Sequence, residues 1–513
     1  MRPTAWRRLR WLLGAAGLIA LTAQLAIVAP VVPVVLVLVS AGIVLAVGST
    51  WHGLLAVMFA TVLLPIGFSV RVGGVSVSIG RLLLLLLVVG WFASLRRPDR
   101  PFVPRRSPFD GPIVFLLAAM VFSALVNLPT MSSVAVLGVV RKLGLFSIDY
   151  FVLFWIALSV LTTEARVRRL LRIFAGLIVF TAVLGLVEHT TGRNVFQHLA
   201  PLLPQQLGRQ VVSAAQGFIP TRGLINRARA TFEQPLGFGT MLVMALPFAA
   251  MFALMARERA ARLAWGFGAC LIGAAILLTA GRSIYALAAL TFLTMIVFLP
   301  DRRTRVAAAS IGLLIVALFL VQSDVRRTML TFVSANRGDA LEGSIQSRVD
   351  DYGPVLTLLS DRPLAGYGPR SFAPDALQES GLLTAESNIV LDNTYLGTLA
   401  ETGIVGLMAL TALLAVVYGS AWRVLRSSRN RDEYLVRLAL VVSVQNWILM
   451  GLAADTYQFN APPRMFSLVM AAVAALRIKS GWRAPEIGEP SVGSDGTGQD
   501  VTGSSARVLE PAG

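Results

Sequence analysis

The 513-residue chain has very few of the residues that build disulfides, metal centres and charged surfaces. It contains one cysteine, Cys270, and three histidines, so an intramolecular disulfide is excluded, and no Cys/His spacing resembles a zinc motif. Only 14% of the residues are charged, against roughly 25% in a soluble domain, and 56% are hydrophobic. This composition excludes a soluble globular enzyme and a disordered chain, and it predicts a polytopic membrane protein.

Acidic residues are also scarce, with 27 against 45 basic residues, and the formal net charge is +18. A positive excess of this size is often found in proteins that bind nucleic acid. Here, however, the basic residues lie between apolar runs, where they set the orientation of a membrane protein. We therefore predict a lipid bilayer as the surrounding partner and no nucleic-acid partner.

The hydrophobic residues are grouped in runs of membrane-spanning length. About fourteen runs approach the ~20 apolar residues that cross the ~30 Å hydrocarbon core of a bilayer. They predict an all-α polytopic membrane helix bundle, with about 12–14 transmembrane helices and a long, partly helical extracytoplasmic loop. The candidate spans are residues 11–29, 33–49, 51–70, 80–95, 111–127, 144–162, 170–187, 236–256, 263–280, 283–299, 306–322, 392–419, 436–454 and 464–477.

The arginines between these runs predict how the bundle is oriented. If the N-terminus is cytoplasmic, 28 of the 45 basic residues fall in segments on the inner side, as the positive-inside rule requires. We interpret the first run, which follows Arg7, Arg8 and Arg10, as a signal anchor rather than a cleaved signal peptide. The predicted location is the cytoplasmic (inner) membrane, crossed many times, with both termini in the cytoplasm.

Two long links fall on the predicted outer side, at about residues 188–235 and 323–391. Loops above ~15 residues are usually functional or disordered. The second link mixes turn-forming Pro and Gly with apolar residues, which is typical of a folded loop. Both links belong to a predicted integral membrane domain, residues 1–483. Residues 484–513, rich in Gly, Ser, Glu and Pro, are predicted to form a disordered cytoplasmic tail.

Arginines on the predicted outer side form the first candidate site. The positive-inside rule disfavours arginine there, so each one requires either a headgroup or acidic partner, or a ligand. A functional role is favoured for Arg282, because it lies in a short link between apolar helices, where a charge is costly. Guanidinium groups match phosphate oxygens in bidentate geometry, so Arg229 and Arg282 are predicted to clamp a lipid diphosphate. The outer arginines are Arg222, Arg227, Arg229, Arg282, Arg348 and Arg370.

The second candidate site is the segment DNTYLGTLAETG, where the second long loop returns to a span. Asp392 and Asn393 suit a helix N-cap, so plain capping and a chemical role both fit Asp392. Tyr395 fits an interfacial anchor or a ligand contact. Glu401 is predicted to face a cavity or a partner, because a carboxylate at this depth rarely faces lipid. Gly403 is predicted to allow close helix packing.

Two further ionisable residues are interpreted as structural. Asp149 lies inside the sixth predicted span and is expected to pair with Arg141 or Lys142, two turns earlier. Arg464 begins the last predicted span and is expected to extend its charged end to the membrane surface.

Three stretches resemble motifs of the O-antigen ligase-related family, which includes O-antigen ligases and O-antigen polymerases. In RARATFEQP, Arg229, Phe232 and Pro235 match the beginning of a family span, and in TAGRSIYAL, Thr279 and Arg282 match. The third stretch is the end of the second long loop and the helix that follows. Its matching residues are Arg348, Pro363, Gly366, Gly368, Asn393, Tyr395, Leu396, Glu401, Gly403 and Gly406.

The sequence departs from the family pattern at one position. Family members often carry His immediately before the Asn of the third stretch, and that His is assigned to activating the acceptor. This sequence has Asp392 there. A carboxylate also accepts a proton, so the resemblance leaves three alternatives: Asp392 keeps the role, the role is lost, or it has moved to His189, His198 or Glu401.

The resemblance implies glycan transfer. The donor would be an undecaprenyl-diphosphate-linked oligosaccharide, and the acceptor a hydroxyl group of a glycan or glycolipid at the outer membrane face. Because the donor is already energised, no metal or nucleotide cofactor is implied. Arg229 and Arg282 would hold the diphosphate, and Asp392 would orient or deprotonate the acceptor. The remaining outer arginines, with Asn393, Tyr395 and Glu401, would bind substrate, and envelope polysaccharide assembly proteins would be further partners. Ligase and polymerase differ in their acceptor, so both stay open.

Two other classes of protein fit the sequence. A polysaccharide or lipid-linked glycan transporter or flippase is the main alternative, because so many spans suit one. Transporters usually contain paired repeats or helices broken near the midplane, and we find no internal repeat. A non-catalytic scaffold of an envelope-assembly complex is the other alternative, and the departure at Asp392 favours it.

Overall fold

The computed structural model describes residues 49–64, 69–72, 75–95, 105–194, 196–197, 221–222, 225–302, 304–306, 309, 353, 359–369, 371 and 392–481. By its contacts the chain divides into Met1–Trp482, which contains all of these residues, and Arg483–Gly513. The helices are α1 (Thr50–Leu63), α2 (Ile79–Leu95), α3 (Asp110–Asn127), α4 (Ser133–Phe146), α5 (Leu153–Val160), α6 (Glu164–Thr191), α7 (Pro235–Met255), α8 (Arg259–Leu278), α9 (Arg282–Phe298), α10 (Thr394–Arg426), α11 (Arg431–Met450) and α12 (Ala461–Lys479).

These helices confirm the predicted all-α polytopic membrane bundle. Within the described ranges, eight helices are long and apolar enough to cross a membrane, and three shorter apolar helices accompany them. One of the eight is continuous from α4 to α5 through a π-helical stretch, Ser147–Val152. The predicted spans 11–29, 33–49 and most of 306–322 lie outside the described residues. The other predicted spans correspond to helices of the structure.

Two short antiparallel hairpins accompany the helices, and the sequence analysis did not predict them. In the first, β1 (Ser69–Val72) pairs with β2 (Val75–Ser78). In the second, β3 (Thr221–Arg222) pairs with β4 (Ile225–Asn226). The sequence SVRVGGVSVS contains valine at alternate positions on both sides of Gly-Gly, which is the pattern of a hairpin. Only its first two residues fall in a predicted span, 51–70, and the remainder lies in the link before the span 80–95.

Helices α7, α11 and α12 form the centre of the bundle. In their apolar windows, 78%, 72% and 89% of the residues are buried, against 33% in α3 and in α8. On the peripheral helices, large apolar side chains such as Leu137 and Phe267 are exposed, as expected of faces that meet lipid. Both α7 and α12 have proline in the first turn, where no amide is needed for the helix. The starts of α7 and α12 therefore lie at the middle of one end of the bundle.

We call this end the site end, because the candidate residues collect there. The Thr231 hydroxyl, before α7, donates to the Val62 carbonyl near the end of α1 (2.6 Å). The Thr394 amide, at the start of α10, lies 2.8 Å from the Gly451 carbonyl after α11. At the opposite end, Arg437 of α11 pairs with Glu164 at the start of α6. The end of α1 and the starts of α7 and α10 therefore lie at the site end, and the starts of α6 and α11 lie at the opposite end.

Helix α10 is interrupted at Gly403, where φ is 67° and ψ is −168°. The chain segment Pro363–Gly368, which we call the inserted segment, packs against the interruption. Its backbone replaces the missing bonds of the helix. The four hydrogen bonds run from Tyr367 N to Ala400 O (3.1 Å), from Gly368 N to Glu401 O (2.8 Å), from Ile404 N to Pro363 O (2.9 Å) and from Val405 N to Leu364 O (3.4 Å).

Three glycines make this contact sterically possible. Gly366, Gly368 and Gly403 all have positive φ, which other residues rarely adopt. A Cβ atom on Gly403 would lie 2.3 Å from the Leu364 carbonyl oxygen. The prediction that Gly403 allows close packing is therefore right in kind, but the partner is a backbone segment rather than a second helix. Asn127 of α3 adds a side-chain bond to the Gly366 carbonyl (3.0 Å).

Candidate functional site

The first predicted site lies where the loop after β4 packs against the link between α8 and α9. The Ala228 amide donates to the Leu278 carbonyl (3.0 Å), and Arg227 Nε donates to the Thr279 carbonyl (2.8 Å). Arg282 is the first residue of α9 and is half-buried. The two motif stretches that contain Arg229 and Arg282 are therefore joined directly, as adjacent loops at the site end.

Each of these two loops contains a strained alanine. Ala230 and Ala280 have φ of 51° and 48°, and within the described residues they are the non-glycine residues with positive φ. Such backbone costs of order 1–3 kcal/mol and is found most often at functional sites. The two loops that bear Arg229 and Arg282 are thus held in conformations that the rest of the fold must impose.

Arg229 is a buried cation, 6% exposed, beside the carboxylate of Glu188. Its Nε lies 3.9 Å from Glu188 Oε1, and Glu188 Oε2 accepts from the amides of Arg229 (3.1 Å) and Ala230 (2.6 Å). Burial lowers the pKa of Arg229, and the negative charge of Glu188 opposes that shift. Glu188, at the end of α6, therefore fixes both the charge and the backbone of this loop.

Next to this loop is a small cavity of ≈ 30 Å³, enough for about one water molecule or one hydroxyl group. Its walls are the end of α1, the start of α2, the loop Thr231–Gln234 and the start of α12. We call it the Glu233 cavity, after the one carboxylate among its lining residues. Arg229 Nη1 donates to the backbone carbonyl of Glu233 (3.4 Å), so the predicted arginine site adjoins the cavity.

A chain of polar side chains runs from the Glu233 cavity into the bundle. Arg81 and Arg464 each place an Nη2 atom 3.0 Å from Asp149 Oδ2. Arg81 Nη2 also donates to Asn460 Oδ1 (3.3 Å), and Asn460 Nδ2 donates to Glu233 Oε1. Two arginines thus share the one Asp149 carboxylate, and an ionised Glu233 would balance the second positive charge.

This network corrects two predictions. Asp149 does not pair with Arg141 or Lys142, because its partners come from α2 and α12. Arg464 does not extend to the membrane surface, because it is 2% exposed and bound to Asp149. Both predictions considered only neighbours in sequence, whereas the bundle brings together residues from distant spans.

The Glu233 carboxyl group has an unusual acidity. Burial raises its pKa to about 7, although the hydrogen bond from Asn460 and the charges of Arg464 and Arg81 act in the opposite direction. A group with a pKa near the ambient pH can both accept and return a proton. Such groups are enriched at functional sites.

The second predicted site lies at the start of α10. Asn393 is the N-cap, and its Oδ1 accepts from the amides of Tyr395 (2.9 Å) and Leu396 (3.1 Å). Asp392 precedes the cap and is exposed, so capping is not its role. The Tyr395 hydroxyl donates to the Ile448 carbonyl of α11 (2.7 Å), which fixes the ring against that helix.

Glu401, one turn and a half further along α10, has a partner as predicted. Lys142 Nζ of α4 lies 2.6 Å from both of its carboxylate oxygens. Asp455, in the link between α11 and α12, lies near this pair. Its pKa is raised to about 6, first by burial and also by the charge of Glu401, while Lys142 lowers it.

The structure describes only part of the predicted arginine set. Arg222 lies in β3, where only its backbone is described, and Arg348 and Arg370 lie outside the described residues, as does His198.

Sequence analysis missed Arg81, Glu188, Glu233 and Asn460. A usable signal existed for Arg81, which interrupts the apolar start of a span, and for Glu188, an acid at the end of a long apolar run. In the part of the chain described, no group of three or more His, Cys, Asp or Glu side chains could hold a metal ion.

Fold and site together define a multi-pass membrane protein with an arginine-flanked polar cavity at one end of its helix bundle. Residues 267–411 match the family model of the O-antigen ligase domain. A similar relative is an O-antigen ligase of Pseudomonas aeruginosa, 27% identical over 197 residues, which cover 35% of this chain and 45% of the relative. Residues 267–411 are therefore similar to the O-antigen ligase domain, and the chain spans less than half the length of the O-antigen ligase that it matches. The matched residues 267–411 include Arg282 and the start of α10, whereas Arg229 and Glu233 precede them.

Proposed function

We propose that the protein is a glycosyltransferase of the O-antigen ligase or polymerase type. It transfers glycan from an undecaprenyl-diphosphate-linked donor to a hydroxyl group of a glycan or glycolipid acceptor. The observation that carries this proposal is the junction of the loops bearing Arg227, Arg229 and Arg282 beside the Glu233 cavity. The family relationship supports the reaction class.

The site end faces outward in this proposal, from the cytoplasmic membrane. Basic residues collect at the opposite end, in the first turns of α6 and α8, in the last turn of α10, and in the α7–α8 and α10–α11 links. The positive-inside rule assigns such links to the cytoplasm. A lipid carrier then presents its diphosphate at headgroup depth beside Arg282.

Arg229 and Arg282 hold the diphosphate. Arg282 opens α9, and the positive end of the helix dipole adds to its charge. Arg229 is oriented by Glu188 and by the backbone of Glu233. As the glycosyl bond breaks, negative charge grows on the leaving diphosphate, and cations already in position stabilise it. Because the diphosphate is a good leaving group, the proposal requires neither a metal nor another cofactor.

The remaining predicted residues orient substrate. Asp392, exposed before the cap of α10, orients or deprotonates the acceptor, and Asn393, Tyr395 and Glu401 shape the wall beside it. Arg222, Arg348 and Arg370 bind the glycan or its carrier. The difference between ligase and polymerase lies in which acceptor reaches this wall, the glycolipid or another lipid-linked chain.

A transporter is the second candidate, because α10 is interrupted at Gly403 and transporters contain discontinuous helices. The interruption in α10 is, however, occupied by the inserted segment, which satisfies the freed backbone groups. Helix α10 has 33 residues, or roughly 50 Å at 1.5 Å per residue, and therefore exceeds the ~30 Å core. Its apolar run follows the interruption, so the break falls toward the site end rather than at the midplane.

Reconstitution tests the proposal. The purified protein is placed in liposomes with an undecaprenyl-diphosphate oligosaccharide and a glycan or glycolipid acceptor, without added metal. Transfer of the glycan to the acceptor is the expected result, and Arg282→Ala should lower the rate by roughly 10²–10³-fold. Arg259→Ala is the matched control, since Arg259 is the exposed first residue of α8 at the opposite end.

If the unaltered lipid-linked oligosaccharide moves between leaflets and no new glycosidic bond forms, the protein is a transporter and the proposed transferase function is wrong. A normal transfer rate in the Arg282→Ala protein would remove Arg282 from the diphosphate clamp.

A further inference from the structure

Glu233 lies between two groups of arginines at the site end. One is Arg229 in its own loop, and the other is Arg81 and Arg464, which share Asp149. The backbone carbonyl of Glu233 accepts from Arg229, and its side chain faces the Glu233 cavity. Oε1 accepts a hydrogen bond from Asn460. In the portion of the chain that is described, Oε2 accepts no hydrogen bond, so one oxygen of the carboxylate is available to a ligand in the cavity.

Charged groups reach Glu233 from α2, from α12 and from the π-helical stretch. Arg81 on α2 acts through Asn460, and Arg464 on α12 lines the same cavity. Asp149 in the π-helical stretch binds both arginines from behind. Because Asp149 neutralises only one of the two positive charges, the other remains to stabilise an ionised Glu233.

We propose that Glu233 is the proton acceptor for the acceptor hydroxyl, and that the Glu233 cavity is where that hydroxyl binds; this proposal rests on the glycan transfer proposed above. Exposed Asp392 then orients the acceptor rather than deprotonating it. Asn460 is a positioning residue, because its amide group holds Glu233 on one side and Arg81 on the other.

Glycan transfer at this site forms one bond, breaks one bond and moves one proton. The acceptor oxygen forms a bond to the anomeric carbon of the donor sugar, and its proton passes to the free oxygen of Glu233. The bond between the anomeric carbon and the phosphate oxygen breaks, and its electron pair stays on the lipid diphosphate, next to Arg229 and Arg282. Glu233 then releases the proton to solvent.

The assignment predicts a pH dependence of turnover. The raised pKa of Glu233, about 7, means that the carboxylate form predominates only above neutral pH. Turnover should therefore rise with pH through about 7 and level off above it.

Glu233→Gln is the decisive variant. Glutamine keeps the size of the side chain and an oxygen that accepts from Asn460, but it cannot take a proton. We expect kcat for glycan transfer to fall by roughly 10²–10⁴-fold. The KM for the lipid-linked donor should change little, and the rise of the pH profile near 7 should disappear. Glu233→Asp retains a carboxylate and should recover part of the activity. Glu258→Gln is the control. Glu258 is exposed and immediately precedes α8, at the end of the bundle opposite the site end.

The outcomes separate this proposal from the function on which it rests. Transfer by wild-type protein, with equal kcat and an unchanged pH profile in the Glu233→Gln protein, would overturn the role of Glu233 alone. Under that outcome, loss of activity in Asp392→Asn would indicate that Asp392, rather than Glu233, accepts the proton. No transfer by the wild type would overturn the glycan-transfer function itself. If Glu233→Gln fails to fold, a wild-type profile that is flat across pH 7 would still contradict the proposal.

Discussion

Two polar regions occupy the site end, and they handle charge differently. Around Asp149, two arginines share one carboxylate, and the side chains of Asp149 and Arg464 are only 4% and 3% exposed. Around Glu401, one lysine meets one carboxylate, with 33% and 17% exposed. In the second region the lysine and the carboxylate of Glu401 balance each other. The first has an extra positive charge and adjoins a cavity, so it is the region prepared for an anionic or proton-donating ligand.

The largest expected effect comes from removing the shared carboxylate. Asp149→Asn would leave Arg81 and Arg464 buried without their counter-charge, and breaking a buried pair in this way costs about 3–5 kcal/mol. We expect a large fall in the thermal unfolding temperature of the protein in detergent. Asp301→Asn is the control: Asp301 pairs with Arg431 at 3.0 Å, but both side chains are about half exposed, so a loss below about 1 kcal/mol is expected. Equal losses in the two variants would mean that the buried pairing of Asp149 contributes no more to stability than an exposed surface pair.

The next largest effect concerns the interruption of α10 at Gly403, which lies beside the second region. Gly403→Ala places a Cβ atom against the Leu364 carbonyl and requires positive φ, so the inserted segment must separate from α10. Positive φ alone costs of order 1–3 kcal/mol, and the lost backbone bonds add to it. Gly419→Ala, in the same helix with open space around it, should be neutral or stabilising by up to ~1 kcal/mol. The measurement is again thermal unfolding; similar values for the two variants would argue against the docked segment.

The smallest effect concerns pH. The pKa of Asp455 is raised to about 6 from an ordinary value of 3.8, so the folded protein disfavours the ionised form. Stability should therefore fall as pH rises from about 4 to about 6, and stay level above that. Lys142 and Glu401 are the charged groups that face Asp455. Asp455→Asn should flatten this part of the stability profile, measured as unfolding temperature against pH; an unchanged slope would assign it to another group.

Sequence analysis predicted the architecture well because membrane spans are local in sequence. Runs of apolar residues identified the helices, and the stretches around Arg229 and Arg282 were correctly singled out as parts of one end. Pairing could not be predicted in the same way. Arg81, Asp149 and Arg464 meet only because the bundle brings α2, the π-helical stretch and α12 together, and no spacing along the chain records this.

The cavity was missed for a related reason. Glu233 lies inside a recognised stretch, but the residues that change its acidity, Arg81, Asn460 and Arg464, come from other helices. The break in α10 was missed because Gly403 alone is compatible with a continuous, closely packed helix. The break at Gly403 becomes recognisable only together with the segment that contains Gly366, more than thirty residues earlier.

Within the described residues, the hydrogen bonds between α10 and the inserted segment join main-chain groups, and Ser123 and Asn127 of α3 add side-chain bonds to the segment's carbonyls. Such docking places almost no demand on side-chain identity beyond the glycines, so mutation can alter the neighbouring residues freely while the attachment persists. Alignments of divergent chains built on this plan should then agree at a few isolated glycines and at little else in the stretch. Weak overall similarity in this region is therefore expected of a contact that is formed by main-chain hydrogen bonds.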